Sequence, residues 1–197
     1  MKSIFIFRRD FRIIDNLGLI ECFNNSEKVL LVFIFTPEQI IKNKYFSSNS
    51  FQFLIESLED LNKTLEKYNT KVHYYFGENV EILKKIKNED EYEYDKVYCN
   101  KDFTPYAIKR DEKINNYLQS ENKELILVED YLLANMGTFC KKDESAYQKY
   151  TPFWKNSWNF TIKKENTSFT INKKKCITIE NIDENKNKNY FTIEKLS

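Results

Sequence analysis

A chain of 197 residues can bury one substantial core plus an appendage, and is too short for two full-sized cores. Its 31 Lys and Arg against 30 Asp and Glu leave a formal charge of +1, so no overall field draws the chain onto nucleic acid and any DNA contact must be local or indirect. The longest apolar run, Val29 to Phe35, is strand-sized and far short of the roughly 20 residues of a membrane span. Met1-Lys2-Ser3 leads into a strand rather than the apolar stretch of a secretory signal, so a soluble, intracellular protein is expected. Cys22, Cys99, Cys140 and Cys176 are scattered without a C-x-x-C pair, and the chain holds a single histidine; free thiols and no metal site are predicted.

In chain order, Ser3 to Phe7 reads as a buried strand, followed by a helix from about Asn16 to Phe23 with Asp15 as its cap. Lys28 to Phe35 is continuously apolar, as a strand covered on both faces should be, and Thr36-Pro37 ends it. From Asn49 or Ser50 a long helix carries Phe51, Leu54, Ile55, Leu58, Leu61 and Leu65 on one stripe. Lys71 to Phe76 is a third strand, Gly77 turns into a helix over 78–88, and Lys96 to Cys99 is a fourth strand. Pro105 opens a helix running to about Ser120, and Glu124 to Val128 is a fifth strand. Strict β-α alternation with short turns predicts an α/β fold, a doubly wound, five-stranded, Rossmann-like parallel sheet over 1–130. Residues 131–197 read as an irregular extension, with an aromatic stretch from Tyr147 to Phe160 and a Lys- and Asn-rich extended tail.

Such a sheet favours nucleotides and flat heterocycles at the carboxyl ends of its strands. The three isolated glycines, Gly18, Gly77 and Gly137, build neither G-x-G-x-x-G nor G-x-x-x-x-G-K-[ST], which excludes the two familiar pyrophosphate cradles. There is no G-x-S-x-G elbow, and His73 falls inside the third strand. No catalytic residue is predicted.

Arginine placement carries more information. All four arginines fall into two blocks, Arg8-Arg9-Asp10-Phe11-Arg12 and Arg110-Asp111, in a chain whose other cations are lysine. A guanidinium fork is not replaceable by lysine where it holds a carboxylate through two hydrogen bonds. Each block is expected to be a fixed network with its own aspartates, Asp10 and Asp15 in the first and Asp111 in the second.

The run Phe7-Arg8-Arg9-Asp10-Phe11-Arg12-Ile13-Ile14-Asp15-Asn16 resembles the opening of DNA photolyases and cryptochromes, an aromatic followed by R-x-D-L-R-x-x-D-N. Phe33-Ile34-Phe35-Thr36-Pro37 is similar to the end of that family's second strand, and Phe53-Leu54-Ile55-Glu56-Ser57-Leu58 with Leu61 to its F-L-x-x-S-L-x-x-L helix. Asn100 to Ala107 followed by Lys109-Arg110-Asp111 resembles its N-x-D-x-x-P-Y-x-x-x-R-D block, and Tyr150 to Lys155 its P-F-W-K segment. Together these segments span residues 3 to about 158.

The resemblance implies an N-terminal antenna domain of a protein that repairs ultraviolet-damaged pyrimidines in DNA with light, or signals in blue light. The catalytic FAD then belongs to a helical half, and because the family's FAD-binding and tryptophan electron-transfer motifs are not found, this chain is expected to bind no FAD and to repair nothing alone. It implies an antenna crevice from Arg8 and Arg9 after strand one, Phe35, Thr36 and Glu38 after strand two, and Asn100 and Asp102 after strand four. Thr104 stands where folate-type members carry glutamate, which speaks against folate; the N-x-D-x-x-P-Y pattern resembles deazaflavin or flavin users. Thr36 stands where some of those carry aspartate, so the occupant stays open. The aromatic stretch implies an FAD-binding half as partner. An inactive fragment, and a stand-alone nucleotide-binding module, remain the alternatives.

Overall fold

A computed structural model describes residues 1–178. Five parallel strands, β1 (Lys2–Phe7), β2 (Lys28–Phe35), β3 (His73–Phe76), β4 (Lys96–Asn100) and β5 (Glu124–Val128), lie in the order β3-β2-β1-β4-β5. The order reverses between β1 and β4, so the connections wind both ways from the centre. Helices α1 (Leu17–Asn25), α2 (Pro37–Ile40), α3 (Ser48–Glu66), α4 (Asn79–Asn88) and α5 (Pro105–Ser120) fill the crossovers.

Alternation along the strands sorts two cores. Phe5, Phe7, Leu31, Phe33 and Phe35 pack toward Leu19, Leu58, Leu61 and Leu65 of α1 and α3. Ile4, Ile6, Leu30, Val32 and Ile34 pack toward Ile82, Ile86, Ile114 and Leu118 of α4 and α5. The unbroken apolar run of β2 is thus the signature of a strand covered on both faces.

Local chemistry sets the helix starts. Asn16, rather than Asp15, caps α1: its side chain accepts from the Leu19 amide at 3.0 Å, while Asp15 has φ 52°. Asp15 instead accepts from the Asn166 amide at 2.8 Å, through its Oδ1. Ser47 accepts from the Ser50 amide at the start of α3, and Thr104 from the Ala107 amide at the start of α5, with Pro105 at a position that needs no amide.

The segment after β5 does more than extend away. Following α6 (Tyr150–Ser157), residues 166–177 run back along the domain: Phe169 meets the Phe23 ring, Ile171 is buried, and Lys175 Nζ donates to the Phe23 carbonyl. They end in a sixth strand, β6 (Cys176–Ile177), parallel to β2 at Val29 and Leu30. β3 pairs with the other half of β2, so both short strands share one edge. The rest of the Lys- and Asn-rich tail lies outside the described residues.

His73 sits fully buried in β3, its Nδ1 3.2 Å from the Leu31 carbonyl oxygen. Burial pushes its pKa down to about 4, against the carbonyl contact and with the Lys71 charge. The unfolded chain takes up this proton near pH 6.5 and the folded chain only near 4, so His73 withdraws stability as pH falls through that window. The loss amounts to about 3 kcal/mol. Urea midpoints at pH 7 and pH 4.5 check it: the drop between them shrinks in His73→Gln, and an equal drop in both proteins contradicts it.

Candidate functional site

At the carboxyl ends of β1 and β2, faced by Asp102 after β4 and by α5, lies a crevice of about 200 Å³. Ile6, Phe33 and Ile34 supply apolar lining; Arg8, Arg9, Thr36, Gln39, Asn79, Asp102, Tyr106 and Arg110 supply polar groups. Doubly wound sheets place ligands at this end of the sheet, where the chain diverges on either side of the switch point and leaves a gap.

Arg8 is the anchor. It leaves β1 into the gap toward β4, where its Nη1 and Nη2 donate to both carboxylate oxygens of Asp111 at 3.1 and 2.7 Å, and Nη1 lies 3.3 Å from the Asn100 carbonyl oxygen. Both side chains are below 10% exposed; burial works against the Arg8 charge, and the Asp111 carboxylate outweighs it. Arg110 Nε donates to the same Asp111 at 3.0 Å. The two arginine blocks therefore form one joined network, not two: the first block's Arg8 pairs with the second block's aspartate. Arg12 donates to Asp130 Oδ2 at 2.8 Å and to the Asp15 backbone carbonyl, rather than to the Asp15 carboxylate.

Asp10 takes no arginine fork. It accepts from the Arg8 amide at 2.8 Å and from the Asn100 amide group at 2.6 Å, and burial raises its pKa. Asn100 also donates to Asn16 Oδ1 at 2.9 Å and accepts from the Gly18 amide at 3.0 Å. These buried groups are a truss under the crevice floor.

Of the residues expected to form the crevice, Arg8, Arg9, Thr36 and Asp102 come together. Arg9 is largely exposed at the rim and pairs with Asp102 at 3.1 Å; against burial, the Thr104 amide and Arg9 hold Asp102 below the usual carboxylate range. Phe35, Asn100 and Glu38 lie elsewhere. Phe35 points into the α3-side core beside Phe33, Phe51 and Tyr74 and does not line the crevice. Asn100 belongs to the buried truss. Glu38, in the first turn of α2, faces Lys42 and Glu78; burial and the Glu38 charge raise Glu78, while Glu38, despite burial, is lowered by its backbone amide, Glu78 and Lys42.

Tyr106 and Arg110 are the lining residues that the sequence reading passed over as such. They stand four apart on α5, hence on one face, and the Tyr106 ring lies over the Arg110 guanidinium at 5.7 Å. Helical spacing next to an expected strand end was the available signal. Gln39 and Asn79 carried none.

A second feature lies apart from the crevice. Leu132, Leu133, Met136, Phe153, Trp154 and Trp158 are among the residues lining an open groove of about 800 Å³. The Trp154 and Trp158 rings, one turn apart, meet at 4.6 Å with their planes tilted by 57°, and Phe139 edges onto Phe153 and Phe160. Tyr150 and Trp158 are 75% and 67% exposed, so the aromatic stretch is not absorbed beneath the sheet's last helix.

Fold and crevice together define a doubly wound α/β domain with a small crevice at the carboxyl ends of its strands. The chain belongs to the DNA photolyase family, whose model matches residues 3–168. It is 25% identical to a deoxyribodipyrimidine photo-lyase of Synechococcus sp. over 78% of its length and 31% of that protein's. To the deoxyribodipyrimidine photo-lyase of Buchnera aphidicola it is 27% identical over 98% of its length, which is 42% of the relative. The archaeal photolyase of Sulfolobus tokodaii, solved with two FAD molecules and implicating a novel light-harvesting cofactor, superposes with a TM-score of 0.75 at 33% identity, over 85% of this chain and 37% of that one. The chain thus spans between 31% and 42% of the length of these relatives. Among the described residues no helix is long and apolar enough to cross a membrane.

Proposed function

We propose that this chain is a light-harvesting domain of the photolyase family, holding a deazaflavin or flavin in this crevice and working with an FAD-bearing half in DNA repair. The observation that carries the reading is the crevice itself, with apolar residues on one side and Arg8, Arg9, Thr36, Asp102 and Tyr106 around it. At about 200 Å³ it falls below the roughly 300–1,000 Å³ of a site enclosing a drug-sized ligand, so it encloses a ring system and leaves substituents outside. Such a chromophore supplies absorption in the near ultraviolet and blue and passes its excitation on; the protein positions the ring and keeps water from it. Thr104 spends its side chain as the α5 cap, which leaves no carboxylate there for a folate.

Titration of the purified chain with riboflavin, a deazaflavin and a reduced folate tests this, read by chromophore fluorescence. Saturable one-to-one binding of the first two and none of the folate is expected. Folate alone binding, or no ligand binding, would overturn the reading.

The partner half follows from the α6 groove. Exposed apolar patches of this kind mark interaction sites, and Trp and Tyr are frequent interface anchors. Trp154→Ala and Trp158→Ala are each expected to weaken association with an FAD-bearing photolyase half about tenfold or more, as hot-spot truncations do, while circular dichroism stays unchanged. Calorimetry with that half shows whether they do; affinity indifferent to both substitutions removes the partner from the proposal.

A further inference from the structure

We infer that the outer edge of β5 pairs with the same edge of a second copy of this chain, antiparallel about Ile126, to make one continuous sheet across a twofold axis. The inference is independent of the chromophore and of the α6 groove.

β5 ends the sheet, and among the described residues no strand lies beyond it. The Glu124 N–H donates to the Asp95 carbonyl at 3.2 Å, and the Val128 carbonyl accepts from the Lys101 N–H at 2.8 Å. Glu124, Ile126 and Val128 therefore turn their main-chain groups toward β4, and alternation turns those of Leu125 and Leu127 outward. Among the described residues no main-chain group outside the ladder bonds to these two leucines. Natural sheets blunt such an edge with proline, lysine, a bulge or an inward charge. β5 keeps an unbroken register and holds neither proline nor lysine; its one charge, Glu124, stands at its first residue and is held by Lys96 at 2.6 Å.

The flanks of the edge are apolar and open. β1 and β4 bury nearly every residue, whereas Leu125 to Val128 stay half-buried. On the α5 side Leu125, Leu127 and Ile108 border a cleft of about 370 Å³, and Ile108 is 48% exposed. On the α1 side Val128, Leu17 and Ile20 border another of about 620 Å³. A strand added beyond β5 would gain hydrogen bonds along its length and apolar cover above and below.

Self-complementarity makes a second copy the occupant. With the register centred on Ile126, Leu125 faces Leu127 of the second copy, and such a pair exchanges two hydrogen bonds. The two symmetric pairs satisfy all four outward groups of each chain. Registers displaced by two residues carry one of the leucines past the end of the opposing strand. In the centred register Glu124 meets Val128 of the second copy, so no like charges oppose. The pairing is isologous and each copy has one such edge, so assembly closes at the dimer.

The test uses the full chain. One strand pair with its flanks is a small interface, so sedimentation equilibrium is expected to show the dimer fraction rising from about 1 to about 500 μM. Over that range the Leu125 and Leu127 amides should exchange about tenfold more slowly at the upper end, while the Ile126 amide, bonded within the sheet, is protected at both ends. Val128→Lys places a cation opposite Glu124 of the second copy and should tighten the dimer about fivefold; Val128→Glu places like charges there and should loosen it by about the same factor. Lost Val128 packing alone would weaken both, so the opposite signs report the register. If either variant fails to fold, Leu127→Pro carries the test: it removes an outward N–H and no bond to β4, and should leave a folded monomer. A chain monomeric throughout the range overturns the inference. So do Leu125 and Leu127 amides protected equally at every concentration, which would mean that another part of the same chain covers the edge. A dimer that both Val128 variants shift in the same direction, or that Leu127→Pro leaves intact, overturns it as well.

Discussion

Arg8→Gln is expected to destabilise the folded chain by about 3 to 5 kcal/mol, the range for removing one partner of a buried ion pair. Asp111 is 6% exposed and would keep only the shared Nε of Arg110 in place of a two-pronged fork. Its remaining charge would be buried without sufficient solvation, and that residual carboxylate, more than the lost attraction, accounts for the size of the effect. Arg9→Gln is the matched control. Arg9 also pairs with an aspartate, but it is 67% exposed, and exposed pairs contribute about 0 to 1 kcal/mol. Chemical denaturation of both variants settles the matter: equal midpoints for Arg8→Gln and wild type would mean that the Arg8–Asp111 pair does not hold the β1 end to α5.

Gly18→Ala should cost about 3 kcal/mol, although alanine inside an exposed helix gains about 1 kcal/mol over glycine. A Cβ at position 18 would stand 2.2 Å from Asn100 Oδ1 and 3.3 Å from the Phe5 ring. Asn100 cannot yield cheaply. Moving it breaks the 3.0 Å bond from the Gly18 amide and disturbs the donations to Asp10 and Asn16, all buried. Overpacking and an unsatisfied buried polar group each cost about 1 to 3 kcal/mol. A double-mutant cycle with Asn100→Ala makes the cause visible: the second substitution removes the clash, so the pair should cost less than the sum of the singles. Strict additivity would place the strain elsewhere.

Much of this architecture is written in the one-dimensional pattern. The apolar run of β2, the α3 stripe and the Pro105 start are local signals, and local signals survive without tertiary knowledge. Which arginine meets which aspartate is not local. Arg8 reaches Asp111 because β1 and β4 are neighbours at the switch point, and nothing in either block announces that adjacency. The Asn16 cap displaced the expected Asp15 for a similar reason: Asp15 is drawn off by the Asn166 amide, more than a hundred residues away in sequence. Phe35 shows the limit of reading a site from strand ends: it stands at the end of β2 beside the lining residues Ile34 and Thr36, yet its ring is packed in the α3-side core. Tyr106 and Arg110 were legible as a helical pair, yet their role at the crevice depends on where α5 begins relative to β4.

The pairing of β6 with β2 bears on the order in which the molecule assembles. Cys176 meets Val29 across nearly the whole described length, so closing that contact carries the largest loop-closure entropy of any strand pair here. β1, β2 and β3 can associate as soon as residues up to Phe76 are available, and β4 and β5 can then add to the far side of β1. β6 contributes two residues to a template that must already exist. With so short a pairing, it is expected to dock last as the chain emerges and to exchange its amides faster than the five-stranded sheet, which hydrogen exchange would show.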